Sequence, residues 1–137
     1  MSIKDFNFAT QKSSDIKEKH AILAIEDKAS SKGLSEILKT KGYRIIGETP
    51  NADEVLELVR KHKMGLLFLD FDVEGLGSMM ILEKLKIKTP KIKTIIMANH
   101  LDKQQVTDAR KRGVAGFLAK PLSKNAVVSL LSKSSIM

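Results

Sequence analysis

Five charged residues stand where they could do chemistry together: the adjacent acids Glu26 and Asp27, the pair Asp70 and Asp72, and Lys120. Each group closes an apolar run: AILAI at 21–25, LLFL at 66–69, and the segment VAGFLA at 114–119. Carboxylates gathered in one place repel one another. A hard divalent cation such as Mg²⁺ relieves that repulsion with oxygen ligands and retained waters. A metal-held carboxylate with an ammonium beside it is well placed to attack phosphorus, because both cations neutralise charge on the phosphoryl oxygens. Aspartate serves as a nucleophile of this kind. These residues are far apart in the chain, so the chemistry depends on elements that bring them to one edge.

The elements follow from the pattern of apolar residues. Ala21 to Ile25 reads as a buried strand. Leu34, Ile37 and Leu38 then take the i, i+3, i+4 spacing of a helix that stops near Lys41-Gly42. Tyr43 to Gly47 is a second strand, and Asn51 with Glu54 predicts a capping box at the start of a helix carrying Val55, Leu56, Leu58 and Val59. LLFLDFD after Gly65 is a third strand ending in acid, and Leu76 to Leu85 is helical, with Pro90 closing the connection. Ile92 to Ala98 is a fourth strand, Asp102 to Arg112 a helix ended by Gly113, and Val114 to Ala119 a fifth strand. Lys120-Pro121 leads to a last helix with Ala126, Val127, Leu130 and Leu131. Strand–helix alternation of this kind predicts an α/β fold, a doubly wound parallel sheet of five strands with helices on both faces. Function in such folds gathers at the carboxyl ends of the strands, where the five charged residues fall.

The 137 residues suit one domain. Residues 1–19 are polar and weakly patterned and read as an N-terminal extension to a domain spanning 20–137, with Phe6 and Phe8 as its aromatics. The chain has no cysteine, which excludes disulfides and thiol catalysis and fits a reducing cytoplasm. No apolar run approaches the roughly 18 residues that span a bilayer, and the N-terminus does not read as a signal peptide. The net charge of +8 raises the question of acidic partners. Many of the cations fall at predicted helix ends: Lys39 and Lys41, then Arg60, Lys61 and Lys63, and later Arg110, Lys111 and Arg112. In this topology they gather at the edge opposite Asp70, where the helix macrodipole favours them. No recognition helix or aromatic-interleaved basic patch accompanies them, so sequence-specific nucleic-acid binding is not expected. His20, His62 and His100 have no ligand spacing among themselves, and Met79 and Met80 read as core.

Taken in order, Glu26-Asp27, Asp70 at the end of LLFLD, and RKRGVAGFLAKPL with its Lys120-Pro121 resemble the receiver domain of two-component response regulators, over residues 20–133. The resemblance implies a flavodoxin-like (βα)5 fold with strand order 2-1-3-4-5. It implies Asp70 as phosphoacceptor, Asp27 as a direct ligand of Mg²⁺ or Mn²⁺, and Glu26 as a ligand through metal-bound water. The backbone carbonyl of Asp72 is the third protein ligand, Lys120 a contact to a phosphoryl oxygen, and the Lys120-Pro121 bond cis. A histidine kinase or a phosphotransfer protein is the implied phosphoryl donor. Output is implied through protein contact by the fourth helix, fifth strand and fifth helix, in a cytoplasmic, stand-alone, monomeric or weakly dimeric module that is not an enzyme.

The chain also departs from that pattern. Ala98 occupies the position at the end of strand four where the family has Thr or Ser, and Phe117 stands at the switch aromatic without a hydroxyl. Asn99 is a neighbouring donor, His100 lies at a position that varies in the family, and Glu74 stands at the family's Pro. These departures put switching in doubt more than phosphorylation, and they support a second reading as a phosphorylation-independent scaffold. LLFLDFDVEGL separately resembles the Asp-x-Asp motif of haloacid dehalogenase phosphatases, although there the motif opens the domain.

Overall fold

The computed structural model describes residues 19–62, 65–71, 78–88 and 91–133. Five parallel strands, β1 (Lys19–Ala24), β2 (Tyr43–Thr49), β3 (Gly65–Asp70), β4 (Ile92–Ala98) and β5 (Gly116–Ala119), form one sheet in the order β2-β1-β3-β4-β5. Between and after them run α1 (Lys28–Thr40), α2 (Ala52–His62), α3 (Ser78–Lys88), α4 (Lys103–Lys111) and α5 (Lys124–Leu131). The strand order is the one the resemblance implied.

Successive strand side chains point to opposite faces, so each apolar run feeds two cores. On one face Leu23, Phe68 and Met97 meet Leu34 and Leu38 of α1 and Val127 and Leu130 of α5. On the other, Ile22, Leu67 and Ile96 meet Val55 of α2, Ile81 of α3 and Ala109 of α4. Burial on both sides explains why the central strands lack polar alternation.

The element boundaries differ from expectation where polar or capping contacts decide them. Strand β2 runs on to Thr49, because Glu48 and Thr49 continue the ladder opposite Leu23 and Ala24. As an edge strand it tolerates such polar residues. Its register shifts between Ala21, opposite Ile45, and Ile22, opposite Gly47. Strand β5 starts at Gly116 rather than Val114, because the Val114 N–H turns back to the Ala109 carbonyl at 3.3 Å and closes the end of α4. Helix α3 runs on to Lys88, past the end expected at Leu85, while its expected start at Leu76 lies outside the described residues. The capping box expected at Asn51 is only half formed. Asn51 Oδ1 accepts the Asp53 N–H at 2.8 Å, but the Thr49 hydroxyl takes the Asn51 N–H at 3.0 Å and donates to Glu54 at 2.8 Å. A full box occurs at α4, where Asp102 and Gln105 bond each other's backbone. Met80, read as core, is 51% exposed. Phe6, Phe8, Lys63, Glu74 and Pro90, and the side chain of Met79, lie outside the described residues.

Gly65 is required where β3 begins. Its φ is +127°, and an added Cβ would lie 2.7 Å from the main-chain oxygen of His20 on the neighbouring strand. Backbone cannot step aside as a side-chain tip can. Gly65→Ala is expected to lower the unfolding free energy by about 2 kcal/mol or more, read from urea denaturation.

Candidate functional site

Parallel strands align their carboxyl ends, and the chain changes direction just beyond β1, β3 and β5. Asp70 is the last residue of β3 and is fully buried. Lys120 follows β5, and its backbone N–H donates to the Ala98 carbonyl at 2.9 Å, which anchors the root of its side chain to the end of β4. The Lys120-Pro121 bond is cis. From there Lys120 Nζ reaches Asp70 Oδ2 at 2.7 Å and Asp27 Oδ2 at 3.4 Å. The Glu26 N–H donates to the same Asp70 oxygen at 3.3 Å. Thus three segments separated by 44 to 93 residues converge on one carboxylate.

Asp27 has two roles in this geometry. Its Oδ1 accepts the Ser30 N–H at 2.7 Å as the N-cap of α1, while Oδ2 faces Lys120. The Ser30 backbone bond, followed by the Ser30 hydroxyl and Lys120, holds its carboxyl below the ordinary 3.8 despite some opposing desolvation. For Lys120, burial works against the ammonium, but the hydrogen bond and charge of Asp70, then those of Asp27, outweigh it and raise its pKa above 10.5. A depressed carboxylate stabilises the fold above its unfolded pKa and loses that contribution as the pH falls through its lower folded value. Asp27→Ala is therefore expected to cost about 1 kcal/mol near neutral pH, the usual worth of an N-cap. Its difference from the wild type should shrink as the pH falls below about 4, measured by denaturation across pH.

Glu26 is exposed, and Asp72 lies outside the described residues. Among the described residues no three His, Cys, Asp or Glu side chains form a cluster able to hold a metal. What the structure offers is two carboxylates, Asp27 and Asp70, aimed at one point that the Lys120 ammonium now neutralises. An all-oxygen pair of this kind fits a hard divalent cation, with remaining positions filled by water and main-chain oxygen. Ala98 is buried and ends β4, Asn99 and His100 are exposed beside it, and Phe117 is half-buried against the core shared with α2, α3 and α4. A groove of about 640 Å³ lies between α1 and the end of β2, with Glu26 among its lining residues; Asp70 and Lys120 do not line it.

The opposite edge carries the expected cations. Lys39, Lys41, Arg60, Lys61, Arg110 and Lys111 are exposed, while Arg112 is half-buried and pairs with Glu83 at 2.9 Å. Two contacts were not foreseen. His20 and His62 lie edge to face, ring centroids 6.1 Å apart, and the Arg110 guanidinium lies over the Phe117 ring at 5.8 Å. Both pairs join separate elements, so no local spacing could have signalled them. No helix of the described residues is long and apolar enough to cross a membrane.

A family model, the response regulator receiver domain, matches residues 22–132. The chain belongs to this family. The match contains the acidic pair, Asp70 and Lys120 together, whereas the likeness to haloacid dehalogenases is confined to one strand end. Relatives of this receiver include the transcriptional regulatory protein CitT of Bacillus subtilis, 31% identical over 88 residues. The alignment covers 64% of this chain and 38% of CitT, so the chain corresponds to under half the length of that relative. The chemotaxis protein CheY of the same organism is 22% identical over 116 residues, 84% of this chain and 97% of CheY. Among solved structures, the complex of CheX and CheY with BeF₃ and Mg²⁺ from Borrelia burgdorferi superposes with a TM-score of 0.77 at 18% identity, covering 82% of this chain and 86% of that one. Receiver domains are modules of two-component signal transduction, and a phosphoryl-accepting role comes with the family.

Proposed function

We propose that Asp70 is the phosphoacceptor of this receiver, taking its phosphoryl group from a histidine kinase or a phosphotransfer protein. The observation that carries the reading is the buried Asp70 carboxylate held 2.7 Å from Lys120 Nζ, with Asp27 on the other side of the ammonium. In the transfer an Asp70 carboxylate oxygen forms the new bond to phosphorus as the bond to the donor's nitrogen breaks. The electron pair leaves with the imidazole, which takes up a proton. Lys120, held 2.7 Å from the Asp70 carboxylate, exchanges that contact for one to a phosphoryl oxygen, a short shift of a charge already in place as negative charge moves outward. Asp27 and Asp70, with Glu26 acting through water and the Asp72 carbonyl, would hold Mg²⁺ or Mn²⁺. The bound ion supplies charge neutralisation for the phosphoryl oxygens and the clustered acids. The module is read as cytoplasmic, and the extension expected over 1–19 gives up its last residue to the receiver, because Lys19 opens β1 opposite Tyr43.

Ala98 bears on how a phosphorylated Asp70 would be coupled to output. It is 5% exposed, ends β4 beside Lys120, and has no hydroxyl to track a phosphoryl oxygen inward. Phe117 is already half-buried, beneath Arg110. We therefore read the output as protein contact with weak conformational coupling. A scaffold that needs no phosphorylation is the second reading, and Ala98 is what favours it.

Acetyl phosphate with Mg²⁺ should add one phosphoryl group, acid-stable and hydroxylamine-labile as an acyl phosphate is, seen by intact mass. If no mass is added under conditions that modify another receiver, the scaffold reading replaces the phosphoacceptor.

A further inference from the structure

The short link from α2 to β3 brings two histidines together at the amino ends of the strands, the edge opposite Asp70. His62 is the last residue of α2, and only residues 63 and 64 separate it from Gly65, the first residue of β3. Along β1, Ala21 pairs with Leu66, which sets His20 beside Gly65. Ile22 and Ala24 belong to the core shared with α2, so strand alternation turns His20 to that same face. A Cβ at position 65 would lie 3.2 Å from His20 Cβ, so the glycine keeps the root of that side chain uncrowded. The two imidazoles, both half-buried, lie with ring centroids 6.1 Å apart and planes inclined at 68°. We propose that His20 and His62 together hold a divalent ion of the zinc class, with water completing its shell.

Donor type, spacing and surroundings define the ion. Neutral imidazole nitrogen suits Zn²⁺, Ni²⁺ and Cu²⁺, whereas Mg²⁺ and Ca²⁺ take oxygen. With bonds of about 2.0–2.1 Å and about 1.1 Å from nitrogen to ring centre, two rings on one ion have centres about 5 Å apart at a tetrahedral angle and about 6 Å apart as the angle opens. The pair therefore stands within about 1 Å of closing on an ion. The Cβ–Cγ torsion of histidine is soft enough to turn the nitrogen edges toward each other. Lys19 and Lys61 adjoin the pair in sequence, and Arg44 stands opposite His20 on β2. These cations repel any divalent ion, so only one with a strong bond to nitrogen overcomes them. The bound ion would tie the end of α2 to β1, far from the carboxylates and through a different donor. The inference is independent of the phosphoacceptor reading.

Zinc titration of the full chain in excess Mg²⁺ tests this, followed by calorimetry and by NMR of the histidine rings. Mg²⁺ takes the oxygen donors of the carboxylate edge and does not compete for imidazole. One equivalent of Zn²⁺ should bind saturably and shift the ring signals of His20 and His62 together, leaving those of His100 in place. A lone imidazole lacks the chelate, so His20→Gln and His62→Gln should each weaken binding about tenfold or more, and His100→Gln should not change it. Zn²⁺ should also raise the unfolding midpoint of the wild type and not that of either weakened variant. The wild-type ring signals decide the site even where a substitution unfolds the chain. The proposal is overturned if Zn²⁺ does not bind saturably, if it shifts only one of the two rings or shifts His100 as strongly, or if His100→Gln weakens binding as much as His62→Gln. Asp70→Asn should leave the zinc affinity unchanged, so failure here is separate from failure of the phosphoacceptor.

Discussion

Asp70→Asn is expected to reduce phosphoryl incorporation from acetyl phosphate to the background of the uncatalysed reaction while leaving the fold intact. The carboxamide has nearly the shape of the carboxylate. Its oxygen can still accept from Lys120 or the Glu26 N–H, the two groups that meet Asp70 Oδ2 at 2.7 and 3.3 Å. What it lacks is an anionic oxygen able to bond phosphorus, and no neighbouring acid can substitute. Asp27 has one oxygen committed to the Ser30 N–H and is fixed as the cap of α1. Asp27→Asn should therefore slow incorporation by weakening metal binding without abolishing it. Intact mass over time distinguishes loss of the acceptor from loss of a ligand, because excess Mg²⁺ recovers part of the second and none of the first.

The largest stability effect is expected from Lys120→Met. The lysine side chain is 8% exposed and Asp70 is fully buried, so the substitution strands a charge with little access to water. Breaking a buried pair from one side costs about 3 kcal/mol or more, since the remaining ion keeps its desolvation penalty and loses its partner. In the Asp70→Asn background the same substitution should cost much less, because no buried anion is left behind. The double-mutant cycle measured by chemical denaturation isolates that coupling. The pH dependence has a defined sign. A lysine raised above 10.5 in the folded state gives its full contribution below that value and loses it as the pH rises through the higher folded value. The gap between wild type and Lys120→Met should therefore hold across neutral pH and narrow only on the alkaline side.

The fold was legible because its signals are of long wavelength. Apolar runs such as LLFL and IKTIIMA mark strands buried on both faces, and their alternation with helical spacing admits few topologies. That topology is also why Glu26, Asp27, Asp70 and Lys120 could be placed together from their positions at strand ends. The errors lie where a single contact outweighs the pattern. The Thr49 hydroxyl intercepts the Asn51 cap, and the Ala109 carbonyl draws the Val114 N–H out of the strand. Met80 looks like core in a run of apolar residues, yet it occupies a solvent-facing position of α3. Periodicity specifies a stripe and not its exact rotation, and a helix with apolar residues on several sides leaves that rotation to tertiary packing. Arg110 over Phe117 and His20 against His62 depend on where separate elements end in space, which no local spacing encodes.

The central claim is that Asp70 receives the phosphoryl group. The most direct measurement is peptide mapping after treatment with acetyl phosphate and Mg²⁺, with borohydride reduction to convert the acyl phosphate of an aspartate into homoserine. Homoserine at position 70 and at no other acid is the predicted result. Homoserine at Asp27, at Asp72 or at a residue outside the carboxylate edge, with Asp70 unchanged, would contradict it.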